Sequence, residues 1–336
     1  MAEEPAAGSA APPTQGVQAR PELSRGRRLS FPETGALLLV LAALIVFFSI
    51  RSEFFLSKDN FINILIAISV VGIVACPSTM LLIAGQFDLS VGSGVALVGT
   101  VFAFYLVQGQ SIGVCVVMAV AVGLAIGIAN GVMVTVLGIN ALITTLATLA
   151  VVRGLAQIRS DGQAIGFEGF TTLGLERPLL DIPWGVWIFF AVVVSSSVVM
   201  RSTTYGRALY AIGANPTAAR LAGIRVGMMI FVGFVISGLA VALTGLILAS
   251  QTGQGSGNAA IGLELSAVTA VILGGASLAG GRGSIFGTVL GVIIIGVINN
   301  GLVLLNIVSF WQDVIRGGLL AAAVGFDQLR LRLTSD

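Results

Sequence analysis

The chain has no histidine, one lysine (Lys58) and two cysteines in 336 residues. Lacking histidine, it lacks the side chain that most readily exchanges a proton near neutral pH, and the commonest metal ligand. Cys76 and Cys115 both sit in apolar runs. Two such residues cannot complete a zinc site alone, and they read as small packing residues rather than a disulfide. Charge is also scarce. Asp, Glu, Lys and Arg make up 10% of the chain against 56% hydrophobic residues, and the mean hydropathy is +1.03. A soluble domain carries about 25% charged residues, so that class is excluded. The formal charge of +2 is too small to imply nucleic acid as a partner. So few acids leave no nucleophile–base set to assemble. The expectation is a non-enzymatic protein without catalytic residues, cofactor or metal.

What is abundant is apolar length. Ten apolar segments stand out, near 35–50, 61–84, 91–107, 112–137, 139–152, 183–200, 228–249, 263–279, 284–305 and 308–326. Such runs predict an all-α polytopic membrane protein with about ten transmembrane helices. The first and fifth are short, with Arg51 and Arg153 expected to snorkel to an interface. Residues 1–30, rich in Ala, Pro, Gly and Ser with Arg20, Arg25, Arg27 and Arg28, read as a disordered tail; 31–336 form the transmembrane domain. Ile50 is followed by RSEFF rather than a small-residue cleavage site, so the first run reads as a retained span. Placing both termini on the cytoplasmic side puts eleven basic residues inside and five outside, as the positive-inside rule requires. Trp184 and Trp187 then fall in an outer aromatic belt.

Forty-four glycines are present. Gly123, Gly127 and Gly131, and again Gly283, Gly287 and Gly291, recur every four residues, a spacing that lets helix backbones approach closely. Asn130-Gly131 and Asn300-Gly301 lie 170 residues apart, as do Gly113 and Gly283. The matched spans are five apart and so run in opposite directions, which suggests an inverted internal repeat, a transporter signature.

Polar residues inside the apolar runs are the candidates for a translocation pathway: Asp88, Ser90, Asn130, Asn140, Thr144 and Asn300. Asp88 or Ser90 is expected to cap the following helix at a tight junction, the alternative for Asp88 being a gate or substrate-facing break, since Gly85, Gly92 and Gly94 permit irregular backbone. Asp313 and Arg316 share a helix face and are expected to pair. Glu264 is expected near the outer end of its span. The run 273–287 is glycine-rich but has no Gly-Lys-Ser/Thr ending, so it is a tight turn rather than a phosphate loop.

The most informative stretch is 201–227, RSTTYGRALYAIGANPTAARLAGIRVG, with four arginines and no acid between two long apolar runs. It predicts short helices over 205–212 and 216–221. Asn215 caps the second, Pro216 takes its first position and Gly223 ends it. Ala218 and Ala219 are expected to make one flat face for docking. A lipid-surface helix is the competing reading.

The run YGRALYAIGANPTAARLAGI resembles the cytoplasmic coupling segment of ribose-type sugar permeases of bacterial ABC importers. IAGQFDLSVGS and LELSAVTAVILGGASLAGGRGSIFGTVLGVIIIGVINNGL resemble two further segments of that family, in the same order. The usual form of the first of these has a second glycine where this chain has Gln86, and isoleucine where it has Phe87. The resemblance implies a permease subunit in the bacterial cytoplasmic membrane. Its partners would be a second permease subunit, identical or a paralogue, two cytoplasmic ATP-binding subunits, an extracytoplasmic sugar-binding protein and membrane lipid. On this likeness Gly206, Arg207, Gly213, Asn215, Ala218, Ala219, Arg220 and Gly223 sit on or frame the ATPase-coupling helix. An ion-coupled secondary transporter of a small polar solute is the alternative.

Overall fold

The computed structural model describes residues 33–335. The proposed tail, 1–30, and the side chains of Asp313 and Arg316 lie outside the described residues. Twelve helices are described: α1 (Glu33–Arg51), α2 (Lys58–Ile83), α3 (Val91–Val107), α4 (Ile112–Thr135), α5 (Ala141–Ser160), α6 (Trp184–Ser202), α7 (Thr204–Ala214), α8 (Pro216–Leu221), α9 (Val226–Thr252), α10 (Leu263–Leu273), α11 (Ile285–Leu304) and α12 (Ser309–Ser335). The two-residue strands β1 (Ile165–Gly166) and β2 (Gln254–Gly255) pair antiparallel, a small departure from an all-α chain.

Each expected apolar run is helical, and α7 and α8 occupy the basic stretch. Helix starts follow local chemistry. Ser57 Oγ accepts from Asn60 N at 3.2 Å to open α2, and Ser284 Oγ accepts from Gly287 N at 3.0 Å to open α11, each satisfying an otherwise orphaned amide. Among the described residues, six helices are long and apolar enough to cross a membrane: α2, α4, α5, α6, α9 and α11. Helices α1, α3 and α10 are shorter.

Three boundaries differ from expectation by more than a few residues, the first being α12, which continues to Ser335 past the expected 326. Helix α5 runs on to Ser160, so Arg153 lies within it rather than at its end. Its guanidinium donates to the carbonyls of Gly257 and Ala259 at 2.8 and 2.7 Å, which lets a charge sit there without snorkelling. Helix α10 stops at Leu273 instead of reaching 279. Its 11 residues span about 16 Å at 1.5 Å per residue, roughly half a bilayer core. The chain then turns through Gly275, Gly280 and Gly281, all with positive φ.

α2 and α11 form the buried centre, with 72% and 61% of their apolar windows enclosed, whereas α4, α5 and α6 each enclose 28%. The outer faces of those three carry exposed Val117, Leu146, Val151, Phe190 and Val194, surface suited to lipid or another apolar face. The glycine stripe of α4 works as its spacing suggested: a Cβ on Gly127 would collide with the Phe234 carbonyl of α9 and come 3.1 Å from Gly238 Cα. Gly283 does not belong to the second stripe; it precedes α11, while Gly287 and Gly291 pack on α10 and its C-terminal end, against Gly274 and Ala270.

Helices α9, α10, α11 and α12 each begin within three residues of the point 170 residues after the starts of α2, α3, α4 and α5. The molecule has two distinct ends. One carries α7, α8, the C-terminus of α2 and the turn 274–283. The other carries the β1–β2 pair and the Lys58–Asp181 ion pair at 2.7 Å.

Candidate functional site

Helix α7 is held at four points. Thr203 Oγ1 accepts from Gly206 N at 3.2 Å, opening the helix. Tyr205 Oη donates to the Met229 carbonyl of α9 at 3.1 Å. Tyr210 Oη donates to the Gly283 carbonyl at 2.8 Å, on the turn before α11. Gly213 lies against Ile83 and Gly281, where any Cβ would collide with the Ile83 carbonyl and the Gly281 amide. Those two groups bond each other, Gly281 N to Ile83 O, at 2.8 Å. A rotation of α7 therefore bears directly on the last residue of α2 and on the turn leading to α11. Burial raises the ionisation of both tyrosines above the phenol range, with Arg201 opposing it at Tyr210, so both stay as donors at neutral pH.

Asn215 ends α7 and starts α8. Its Oδ1 accepts from Thr217 N and Ala218 N, both at 3.0 Å, with Pro216 at the first position of α8. Gly223, at φ +85°, follows the helix end in a left-handed conformation. The expected flat alanine face does not form. Ala219 is buried and Ala218 exposed, because neighbouring residues point about 100° apart on a helix. The outward surface of α8 is instead Thr217, Ala218, Arg220 and Leu221, the last 85% exposed. Arg207 is exposed on α7, and Gly206 is buried, where a Cβ would lie 2.5 Å from the Val199 and Met200 carbonyls.

The loop from Ala84 to Ser90 leads from the α7 contact into the bundle interior, and Asp88 anchors it. Asp88 Oδ1 accepts from Ser90 N at 3.0 Å and Ser90 Oγ at 2.6 Å, while Oδ2 accepts from Ser237 Oγ of α9 at 2.6 Å. Ser90 Oγ accepts in turn from Asn130 Nδ2 at 2.9 Å, and Asn130 Oδ1 accepts from Thr148 Oγ1 at 2.7 Å. All five residues are buried. The chain ties the loop to α4, α5 and α9, and it compensates the desolvation that an unpaired carboxylate would incur. Asp88 therefore does not cap α3: Ser90 holds the cap position, without a side-chain cap bond.

The remaining pathway candidates lie apart. Asn140 caps α5, accepting from Leu142 N at 2.9 Å. Thr144 is buried, and its hydroxyl has no hydrogen-bond partner among the described residues. Asn300 exchanges amide hydrogen bonds with Asn60 of α2 at 2.8 and 3.1 Å. Ser237, Thr148, Ile83 and Gly281 join the site without any sequence signal; a serine or glycine in an apolar run has too many ordinary uses.

Residues 60–324 match the model of a family described as the permease component of branched-chain amino acid transport systems. The chain belongs to that family. It is 42% identical to the L-arabinose transport system permease protein AraH of Escherichia coli (strain K12), over 88% of this chain and 90% of that one. It is 38% identical to the probable ABC transporter permease protein YphD of the same strain, over 86% and 87%. It is 36% identical to the ribose import permease protein RbsC, also of that strain, over 86% and 92%. No solved structure matches the chain.

Two cavities of this permease flank the elements just described. One, of about 310 Å³, lies at the β2 end between α3, α9 and residues 254–260, with Thr252, Gln254, Ser256 and Asn258 in its wall. The other, of about 390 Å³, lies at the α7 end beside the 84–90 loop, with Gln86, Thr135 and Asn140 in its wall. Neither is lined by a charged side chain.

Proposed function

We propose that this permease is the membrane subunit of an ATP-binding-cassette importer that carries a neutral monosaccharide or related polyol across the bacterial cytoplasmic membrane. The observation carrying the reading is the α7–α8 elbow, wedged through Gly213 between Ile83 and Gly281 while the Thr217–Leu221 surface faces outward. Separate ATPase subunits dock on that surface. Their closure moves α7, and the displacement passes through Ile83 to the 84–90 loop and through Gly281 to the turn before α11. Alternation between outward- and inward-open forms follows. Gly206, Arg207, Gly213, Asn215, Ala218, Ala219, Arg220 and Gly223 form or frame the docking elbow, here assigned to the cytoplasmic side as the coupling segment 201–227. Asp88, Ser90 and Asn130 line the translocation pathway as one network with Asp88 as its anchor, and Asn140, Thr144 and Asn300 are assigned to the same pathway at separate positions.

The chain makes ten crossings with both termini cytoplasmic, α10 completing its own only together with residues 254–262 before it, and α2–α5 and α9–α12 are inverted copies; the shared 170-residue offset supports this. Two permease subunits pair, an extracytoplasmic binding protein delivers the sugar, and the chain itself hydrolyses nothing. The family description names branched-chain amino acids, but the full-length relatives are named for L-arabinose and ribose. Uncharged cavity walls favour the sugars, since a zwitterion there would lose the hydration of two charges with no charged partner. An ion-coupled carrier has less support: the acceptors of Asp88 are already occupied by Ser90 and Ser237.

The test is reconstitution of the chain in liposomes with the ATPase and binding protein encoded beside it. ATP-dependent accumulation of L-arabinose or D-ribose, indifferent to a protonophore, is expected. Uptake that persists without ATP and collapses with the proton gradient contradicts the reading.

A further inference from the structure

The cavity at the α7 end has features that neither packing nor coupling explains. It measures about 390 Å³ and lies between the 84–90 loop, the end of α4, the start of α5 and Ile230 of α9. Small-molecule sites begin at about 300 Å³. Its wall contains Gln86, Phe87, Thr135, Asn140, Leu142 and Ile230. The Gln86 side chain makes no hydrogen bond among the described residues. Asn140 uses its Oδ1 to cap α5, and its Nδ2 has no partner among them. Thr135 Oγ1 donates to the Gly131 carbonyl at 2.7 Å, leaving its lone pairs to accept.

One unused amide, one part-used amide and a hydroxyl beside a half-buried aromatic ring make a specific recognition set. A planar amide offers one acceptor and two donors side by side, and so matches adjacent hydroxyls that each donate and accept. An aromatic ring offers an apolar face with a partly negative surface to the C–H face of a sugar ring. A metal cation would seek carboxylates, and no charged group lines the space.

We propose that this cavity is a transient, low-affinity site for a neutral monosaccharide on the exit side of the permease, with Gln86 and Asn140 binding its hydroxyls and Phe87 packing on its ring. The site rests on the importer reading above. It places sugar recognition on the segment that α7 moves: Gln86 and Phe87 lie between Ile83, held against Gly281, and Asp88, held by Ser237. Movement of that segment therefore alters the site, so release is coupled to the elbow.

The experiment uses the complete reconstituted transporter with L-arabinose and D-ribose. Gln86→Leu is expected to lower uptake at least five-fold. Unchanged uptake overturns the proposal. A second measurement decides the matter even if that variant fails to assemble. In a Cys76→Ala, Cys115→Ala background, Thr135→Cys is labelled with an impermeant maleimide from the α7 side. Saturating L-arabinose or D-ribose is expected to slow labelling several-fold. No protection by either sugar, in a transporter that imports them, overturns the site alone. A wild-type transporter that imports neither these two sugars nor any other neutral monosaccharide or polyol overturns the importer reading instead.

Discussion

Substituting Gly213 with alanine probes the mechanical link at its tightest point. The added methyl falls on the Ile83 carbonyl and the Gly281 amide, which are backbone groups and cannot rotate away. Relieving the collision requires α7 to lift from α2 and the 280–281 turn. Such overpacking costs about 1–3 kcal/mol. Parting the 2.8 Å Gly281–Ile83 hydrogen bond adds about 1 kcal/mol. A fold stable by about 5–15 kcal/mol survives that, so the variant is expected to insert and to melt a few degrees lower. The contact that transmits movement is lost, however. A coupling loss of about 2 kcal/mol corresponds to roughly 30-fold. The assay is sugar transported per ATP hydrolysed in proteoliposomes holding the whole transporter. Gly154 is the control: nothing lies within 4 Å of a Cβ there, so Gly154→Ala should leave the ratio intact. A lowered melting temperature in Gly213→Ala with an unchanged transport-to-ATP ratio would refute the transmission route.

Asn215→Ala removes the cap shared by Thr217 N and Ala218 N, at about 1 kcal/mol; ATPase stimulation by the permease should fall several-fold while expression holds. Asp88→Ala leaves the Ser237 and Ser90 hydroxyls without their acceptor, at about 1–3 kcal/mol for each buried group left unpaired. Its melting temperature in detergent should therefore fall well below that of Asp88→Asn, which keeps an acceptor. Gly127→Val forces α4 from α9 and should reduce the folded yield in size-exclusion profiles more than any of these. Lys58 holds the Asp181 carboxyl below its ordinary 3.8. The folded value is depressed, so the contribution is fully present above that ordinary value and is lost as pH falls through the lower folded one. Melting curves of wild type and Asp181→Asn should stay parallel from about pH 5 to 8 and converge only in strong acid.

Much of the architecture was legible because apolar length and local caps are short-range signals. Asn215-Pro216 announced α8, and the four-residue glycine spacing announced that α4 packs closely on another helix, though not that α9 is that helix. The half-length of α10 was hidden, since 263–279 stays apolar across the helix end and only the positive φ at Gly275 stops it. The placement of Arg153 was missed because its partners are backbone carbonyls more than a hundred residues away. Asp88, Ser90 and Asn130 were picked out as polar residues in apolar surroundings, and they meet in one network. Asn300 carries the same signal but pairs with Asn60 instead. Polarity marks a residue as needing a partner; which partner it finds is a property of the tertiary fold. The split of Ala218 and Ala219 between outside and inside follows from helix geometry alone.

The elbow's contact with a motor subunit is tested most directly by a single thiol at Ala218→Cys, in a background without Cys76 and Cys115. In intact cells that thiol should resist impermeant reagents applied from outside, and in the assembled transporter a short bifunctional reagent should join it to the ATP-binding subunit. A thiol labelled from outside the cell, or an active transporter in which it joins no ATP-binding subunit, contradicts the assignment.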